Sequence, residues 1–218
     1  DPDEGLCLYV LHLAGKHNDP RLAGDVIRII GELGYTYREC HFAPLLDAFA
    51  STGDIANTFK VFSSMRKIGI IPDKKTALPV AYKIGRDINA IHKAKEALQD
   101  MADHGEPVDV TAFNLVIHAF AFNQKYDEAI SQYGQAKRLG VTPNSETLDA
   151  TLDACIHCKD AELGVSIYQE CVSQGIKVSA TSLSKMVTLM CTQEDYEDAF
   201  TYLERMKKLK MIPLRGCY

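Results

Sequence analysis

Apolar residues recur every three or four positions along this chain, in stretches separated by short polar breaks. The clearest case is FNLVIHAFA, from Phe113 to Ala121, which is followed by a polar break and then YDEAISQYGQAKRLG. A spacing of three to four is the period of an amphipathic helix, so this pattern predicts a helix, a tight turn and a second helix. The same two-stretch pattern returns along the whole sequence. Each second stretch ends on a short string with the character of a turn: GYTYR at Arg38, GIIPD at Asp73, GEPVD at Asp109, GVTPN at Asn144, GIKVS at Ser179 and KMIPL at Leu214. The spacings are 35, 36, 35, 35 and 35 residues. Carried back to Glu4, the period defines six units: 4–38, 39–73, 74–109, 110–144, 145–179 and 180–214.

Side-chain size supports the hairpin reading. A small residue stands early in each second stretch (Ala23, Thr58, Ala94, Ala129, Gly164, Ala199), where a short side chain lets paired helices approach. Bulk follows four residues later at Ile27, Phe62, Leu98, Tyr133, Tyr168 and Leu203. Gly34, Gly69, Gly105, Gly140 and Gly175 are placed to end the second helices in a left-handed residue, and nearby prolines in four units block continuation. One 35-residue hairpin buries too little surface to fold alone, whereas stacked hairpins share a core. The expected fold is an all-α, right-handed superhelical solenoid of six helical hairpins, a single array over 1–218. Pro79 falls inside a first helix, so a delayed start or a kink is expected there. The extra residue of unit 74–109 and Lys210 in place of a turn glycine mark two further irregular places.

These units resemble the pentatricopeptide repeat family over essentially the whole chain, best in GIIPD and in VTAFNLVIHAF with YDEAISQYGQAKRLGVTPN. The 35-residue period, the Pro-Asp or Pro-Asn endings and the early alanine of the second helix separate the pattern from the 34-residue tetratricopeptide repeat. The resemblance implies binding of single-stranded RNA along the first helices, about one base per repeat. It also implies base reading by a residue near the start of each first helix together with the last residue of the repeat. The pairs are Leu8 with Arg38, Ala43 with Asp73, Leu78 with Asp109, Asn114 with Asn144, Asp149 with Ser179, and Ser184 with Leu214. Only Asn114 with Asn144 is a proper family combination, and the resemblance suggests a pyrimidine there. Asp73, Asp109, Ser184, Asn114 and Asn144 are therefore base-reading candidates. A second reading stands beside this one: Asp73, Asp109 and Asn144 precede a helix, where a short polar side chain caps backbone N–H groups.

The family's stacking positions hold Gly5, Cys40, Lys75, Thr111, Glu146 and Thr181, none of them the expected Val or Ile. Its phosphate positions hold Lys16, Ser51, Asp87, Phe122, His157 and Thr192, of which Lys16 alone is suitable. Lys74, Lys75, Lys83 and Arg86 cluster in the third unit and join Lys16 as candidates for backbone contact.

Charge restrains this expectation. The 218 residues carry 24 Lys and Arg against 29 Asp and Glu, a net charge of −5, so any polyanion site must be local. The units carry 0, −1, 0, +1, −4 and 0. Glu146, Asp149 and Asp153 share one face of the fifth unit's first helix, which is either a solvated acidic face or a surface for a basic protein partner. Seven cysteines, odd in number and set mostly in apolar patterns, fit a reducing compartment better than a disulfide framework. Cys155-Ile-His-Cys158 lacks the second ligand pair of a zinc finger, so no metal site is expected. Absence of a phosphate loop, a nucleophile elbow or an HExxH motif leaves no catalytic residue, no enzyme activity and no cofactor to expect. No membrane insertion is expected either. The missing initiator Met suggests a segment of a longer protein. Two functions stay open: an organellar RNA-binding adaptor in RNA processing, stability or translation, or an interaction scaffold in a mitochondrial ribonucleoprotein or ribosome-associated assembly. Family resemblance places either one in an organelle, with the mitochondrion preferred over the chloroplast.

Overall fold

The computed structural model describes residues 2–212. Among these residues the structure is all-α, with twelve helices and no strand. The first helices are α1 (Glu4–Lys16), α3 (Glu39–Thr52), α5 (Lys74–Gly85), α7 (Val110–Phe122), α9 (Ser145–Cys158) and α11 (Ala180–Thr192). The second helices are α2 (Pro20–Glu32), α4 (Ile55–Lys67), α6 (Ile88–Asp103), α8 (Tyr126–Tyr133), α10 (Ala161–Ser173) and α12 (Tyr196–Lys208).

Two compact units divide the chain. The first, Asp1–Asn123, contains the hairpins α1/α2, α3/α4 and α5/α6, with α7 packed on α5 and α6. In the second, from Gln124 onward, α8 packs on α9, and α9/α10 and α11/α12 form hairpins. Consecutive first helices lie side by side within each unit: α1 on α3, α3 on α5 and α5 on α7 in the first, α9 on α11 in the second. Leu11, Ala14, Ala23 and Ile30 fill one core, and Leu152, Cys155, Leu183 and Leu189 fill another.

A small set of local devices, repeated at the period of the sequence, produces these elements. Helices α2, α4, α6 and α10 each close with a backbone bond from the residue after the turn to a carbonyl five residues earlier: Tyr35 to Ile30 (3.1 Å), Ile70 to Met65 (2.9 Å), Glu106 to Met101 (2.8 Å) and Ile176 to Cys171 (3.0 Å). The bond requires a left-handed residue just before it, which Gly34, Gly69, Gly105 and Gly175 supply at φ of 72° to 83°. The last turn closes the same way although it lacks the glycine. Met211 N–H reaches the Met206 carbonyl at 2.9 Å, and Lys210 takes φ 55°. Inside the hairpins, aspartate caps the second helix: the carboxylates of Asp19, Asp54, Asp87, Asp160 and Asp195 each accept from a backbone N–H in the first turn.

The third repeat is irregular, as its extra residue implies, but not through a late start. Helix α5 begins at Lys74, in register with the other first helices, and carries Pro79 in its interior. Pro79 deprives one carbonyl, that of Lys75, of its helical donor, and the cap at Asp73 still nucleates the first turn. Pro44 holds the same place in α3. The irregularity lies downstream: α5 has 12 residues, its cap Arg86 stays right-handed, and α6 lengthens to 16 residues against 13 in α2, α4, α10 and α12. Helix α8 corrects a second expectation. It ends at Tyr133, and Gly134, a poor helix former, leads into a stretch with shorter i to i+3 bonds, Gln135 to Gln132 and Ala136 to Tyr133, both at 3.0 Å.

First helices approach at backbone distance. A Cβ placed on Gly85 would lie 2.9 Å from the Ala119 carbonyl oxygen and 3.0 Å from Phe122 Cβ, whereas one on Gly24 would meet nothing within 4 Å. Gly85→Ala should therefore destabilise the protein by about 1–3 kcal/mol in thermal melting, because backbone must move. Gly24→Ala, in the middle of α2, should stabilise it by roughly 0.5–1 kcal/mol.

At the start of α3, buried His41 accepts from the Arg38 N–H through Nδ1 at 3.1 Å and places Nε2 3.3 Å from Glu4 Oε1. Burial, aided by the Arg38 charge, holds the imidazole below its ordinary pKa. The unfolded chain then binds a proton that the folded chain resists, so stability should fall as pH drops below about 6.5. Melting followed between about pH 7 and pH 5.5 checks this, and His41→Gln should reduce the slope in that window.

Candidate nucleic-acid interface

Among the described residues, the repeat endings predicted from sequence, Arg38, Asp73, Asp109, Asn144 and Ser179, stand at first-helix N-termini. Asp73 accepts from the Thr76 N–H at 3.0 Å, and its own N–H donates to Glu39 Oε1 at 2.8 Å. Asn144 Oδ1 accepts from the N–H groups of Glu146 and Thr147, both at 3.0 Å. Asp109 accepts from the Thr111 N–H at 2.7 Å and is buried. Its second oxygen takes the Arg66 guanidinium of α4, whose other arm donates to Thr111 Oγ1 at 3.1 Å. Capping is thus a demonstrated role for Asp73, Asp109 and Asn144, and Asp109 additionally ties α4 to α7.

The candidates near the helix starts are mostly covered. Asn114 in α7 is 2% exposed. Ser184 is equally buried, with its hydroxyl 3.9 Å from Met206 Sδ, and its partner Leu214 lies outside the described residues. Asp149 is 3% exposed and accepts from the hydroxyls of Ser182 and Ser179, the latter at 3.4 Å. The structure therefore brings Asp149 and Ser179 together, and they satisfy one another.

This burial also changes the acidic face. Glu146, Asp149 and Asp153 do not form one solvated surface, because α11 packs against them. Lys185 reaches back to Asp153 Oδ2 at 2.6 Å and to the Asp149 carbonyl at 2.8 Å, so the face is partly neutralised from the neighbouring helix. Glu146 remains half-buried at the start of α9.

The cation candidates separate into two groups. Lys16 and Lys75 line one groove of about 320 Å³ on the first-helix face of α1, α3 and α5, together with His12, Pro44, Asp47 and Pro79. Lys83 is committed elsewhere: its ammonium pairs with Asp47 Oδ1 at 2.5 Å and donates to Ser51 Oγ at 2.7 Å. Lys74 and Arg86 are exposed. Asp87 is not the phosphate-position residue of the third repeat. It caps α6 by accepting from the Asn89 N–H at 3.0 Å, and Arg86 occupies the thirteenth place of the repeat, the place of Lys16 in the first. The short turn after α5 brings the cap of the second helix two places forward, so Asp87 stands where no other repeat has its cap.

Sequence reasoning overlooked the aromatic side of this face. Tyr82 of α5 and Phe122 of α7 meet edge to face at 5.7 Å between ring centroids, and His118 stacks on Phe122 at 6.3 Å. Their ninth and thirteenth places, those of His12 and Lys16 in the first repeat, were the available signal.

No metal cluster and no membrane-spanning helix occurs among the described residues. Cys155 is buried, which pushes its thiol up to about 12. Cys158 is exposed, and its thiol lies 3.5 Å from Asp127 Oδ1.

Paired helices closed by the same turn, with first helices side by side, define a helical-repeat protein of the α-solenoid class. A family model described as pentatricopeptide repeat-containing protein matches residues 4–136, and one described as pentatricopeptide repeat domain matches residues 166–218. The chain belongs to the pentatricopeptide repeat family. Among its Arabidopsis thaliana relatives, pentatricopeptide repeat-containing protein At4g21065 is 22% identical over 94% of this chain and 28% of its own length. The chloroplastic At5g55740 is 24% identical over 89% of this chain and 18% of its own length, and the mitochondrial At3g04750 is 29% identical over 50% and 16%. The chain thus spans less than a third of these relatives. Among solved structures, the maize pentatricopeptide repeat protein PPR10 in complex with an 18-nucleotide psaJ RNA element superposes with a TM-score of 0.56, at 21% identity over all of this chain and 32% of its own. The nuclear proteinaceous RNase P 2 of Arabidopsis superposes at 0.50, with 16% identity over 94% of this chain and 38% of its own. Both share the fold.

Asp109→Ala should lower stability by about 2 kcal/mol in urea denaturation, since it removes a cap and strands the Arg66 guanidinium. Asp109→Asn, which keeps a capping oxygen, should cost less.

Proposed function

We propose that this chain is an adaptor that binds single-stranded organellar RNA in RNA processing, stability or translation, with any catalysis supplied elsewhere. The observation that carries the reading is the groove of α1, α3 and α5 with Lys16 and Lys75 on it, in a chain whose overall charge is negative. Family membership supports it, as does the RNA held by PPR10, a protein of the same fold. The mitochondrial and chloroplastic names of relatives favour an organelle without choosing between the two.

Within this reading, Lys16, Lys75 and Arg86 face the phosphates and Lys74 adds local charge, while Lys83 contributes only when Asp47 releases it. Asp73 and Asn144, at accessible helix starts, are better placed to touch a base edge than Asp109, Asn114 or Ser184, which are buried. That burial favours the second reading, a scaffold in a ribonucleoprotein assembly with few base contacts.

Titration with a randomised single-stranded RNA at several salt concentrations tests the proposal. Replacing Lys16, Lys75 and Arg86 by Ala should weaken binding to all sequences alike and flatten the log-log salt slope by about 2, roughly 0.7 for each phosphate no longer neutralised. Asp47→Ala should do the opposite, tightening binding and steepening the slope by about 0.7 as Lys83 is freed. No measurable RNA binding by the unaltered chain, or a salt slope indifferent to all four substitutions, would refute the adaptor reading and leave the scaffold.

A further inference from the structure

Two large aromatic rings stand exposed on the first-helix face, where solvent contact is unfavourable and a partner would remove it. Tyr82 is 56% exposed and Phe122 44%, yet the two rings touch. Their arrangement is fixed from beneath. Gly85 leaves no side chain between α5 and α7, so the helices meet at backbone distance and bring Phe122 against α5. The Asn123 amide then donates to the Gly85 carbonyl at 2.8 Å and locks the end of α7 to the end of α5. Phe122 also lies against the His118 ring, 27° from parallel. The rings are therefore held in place before any partner arrives.

The two helices that carry the rings bear cations and no carboxylate of their own, although Lys83 is paired with Asp47 of α3. Helix α5 carries Lys74, Lys75 and Lys83 and no carboxylate, and α7 carries no charged residue. Arg86, exposed, follows one turn after Tyr82. Asp87, the nearest carboxylate along the chain, is occupied in capping α6. An aromatic surface bordered by cations attracts a partner that is planar and apolar at one edge and anionic at the other, and single-stranded nucleic acid has that combination.

We propose that Tyr82 and Phe122 form a stacking platform for a nucleobase of single-stranded RNA, with Arg86 beside it for the adjoining phosphate. The platform compensates for the repeat's lack of aliphatic residues at the stacking positions, where Lys75 and Thr111 stand in the third and fourth units. Stacking accepts any base, so the platform adds affinity without sequence preference. The inference rests on the RNA-binding reading, and it specifies where one base sits.

The chain contains no tryptophan, so Tyr82→Trp installs a single reporter. Titrated with a 12-nucleotide oligo(U) and with a strand of equal length that lacks bases, Tyr82→Trp should bind oligo(U) as tightly as the unaltered chain, with its fluorescence quenched. The abasic strand should leave the fluorescence unquenched. Tyr82→Ala and Phe122→Ala should each weaken oligo(U) binding by about 5- to 100-fold with the salt slope retained, because stacking releases no counterions. Neither substitution should alter binding of the abasic strand. Far-UV circular dichroism and melting confirm folding, and Tyr82→Ala, at the more exposed ring, decides the matter if Phe122→Ala unfolds. If the unaltered chain binds oligo(U) but Tyr82→Ala binds it equally and Tyr82→Trp is unquenched, the platform is refuted while the adaptor reading stands. If the unaltered chain binds no RNA, both fall, and a protein partner becomes the occupant of these rings.

Discussion

Contact between consecutive first helices is the constraint on which the rest of this structure depends. None of these helices buries its apolar residues alone, and within each unit one covers the next along its length. The approach is close where it can be gauged: Gly85 meets Ala119 and Phe122, and a Cβ on Gly15 would lie 3.0 Å from Pro44 Cβ. Such proximity fixes the register of neighbouring repeats to within a fraction of a turn. It therefore also decides which side chains meet on the solvent face, bringing Asp47 to Lys83 and Tyr82 to Phe122 from different places of adjoining repeats.

Interactions across that face are mostly inward-looking. Asp47 takes Lys83 from the next first helix, and Asp153 takes Lys185 in the same manner. Asp149 is closed over by Ser182 and Ser179. Each pairing ties one repeat to its successor, and each removes a charged or polar group from what a ligand could touch. Exposed pairs of this kind add little stability singly. Their larger effect is on function, because they leave the groove of α1, α3 and α5 with few uncommitted cations and set the aromatic pair beside them.

The repeat and its helix pairs could be read from the chain because their causes are local. A glycine at φ near 75°, an aspartate before a helix and a small residue where helices cross each act over a few residues and recur at a fixed period. Even Lys210 obeys the pattern: the bond between Met211 and Met206 is strong enough to hold a lysine in the left-handed region. The helix-capping aspartates Asp19, Asp54, Asp160 and Asp195 carry the same periodic signal, from which Asp87 departs by standing two residues early. Arg86 still keeps the period at the thirteenth place of its unit, and the displacement begins after it, where Asp87 caps α6.

Sequence by itself determined that this is a helical-hairpin repeat of the pentatricopeptide family, since periodicity and turn chemistry depend on neighbours in the chain. Only the tertiary structure decided which polar residues remain available. Asn114, Asp109 and Ser184 are covered, Lys83 is paired and Tyr82 with Phe122 are joined, through contacts between residues 20 to 45 apart. A side chain's exposure and charge partner are set by what the adjoining repeat places opposite it, and a one-dimensional period says which positions face one another without saying which of them will neutralise or bury the other.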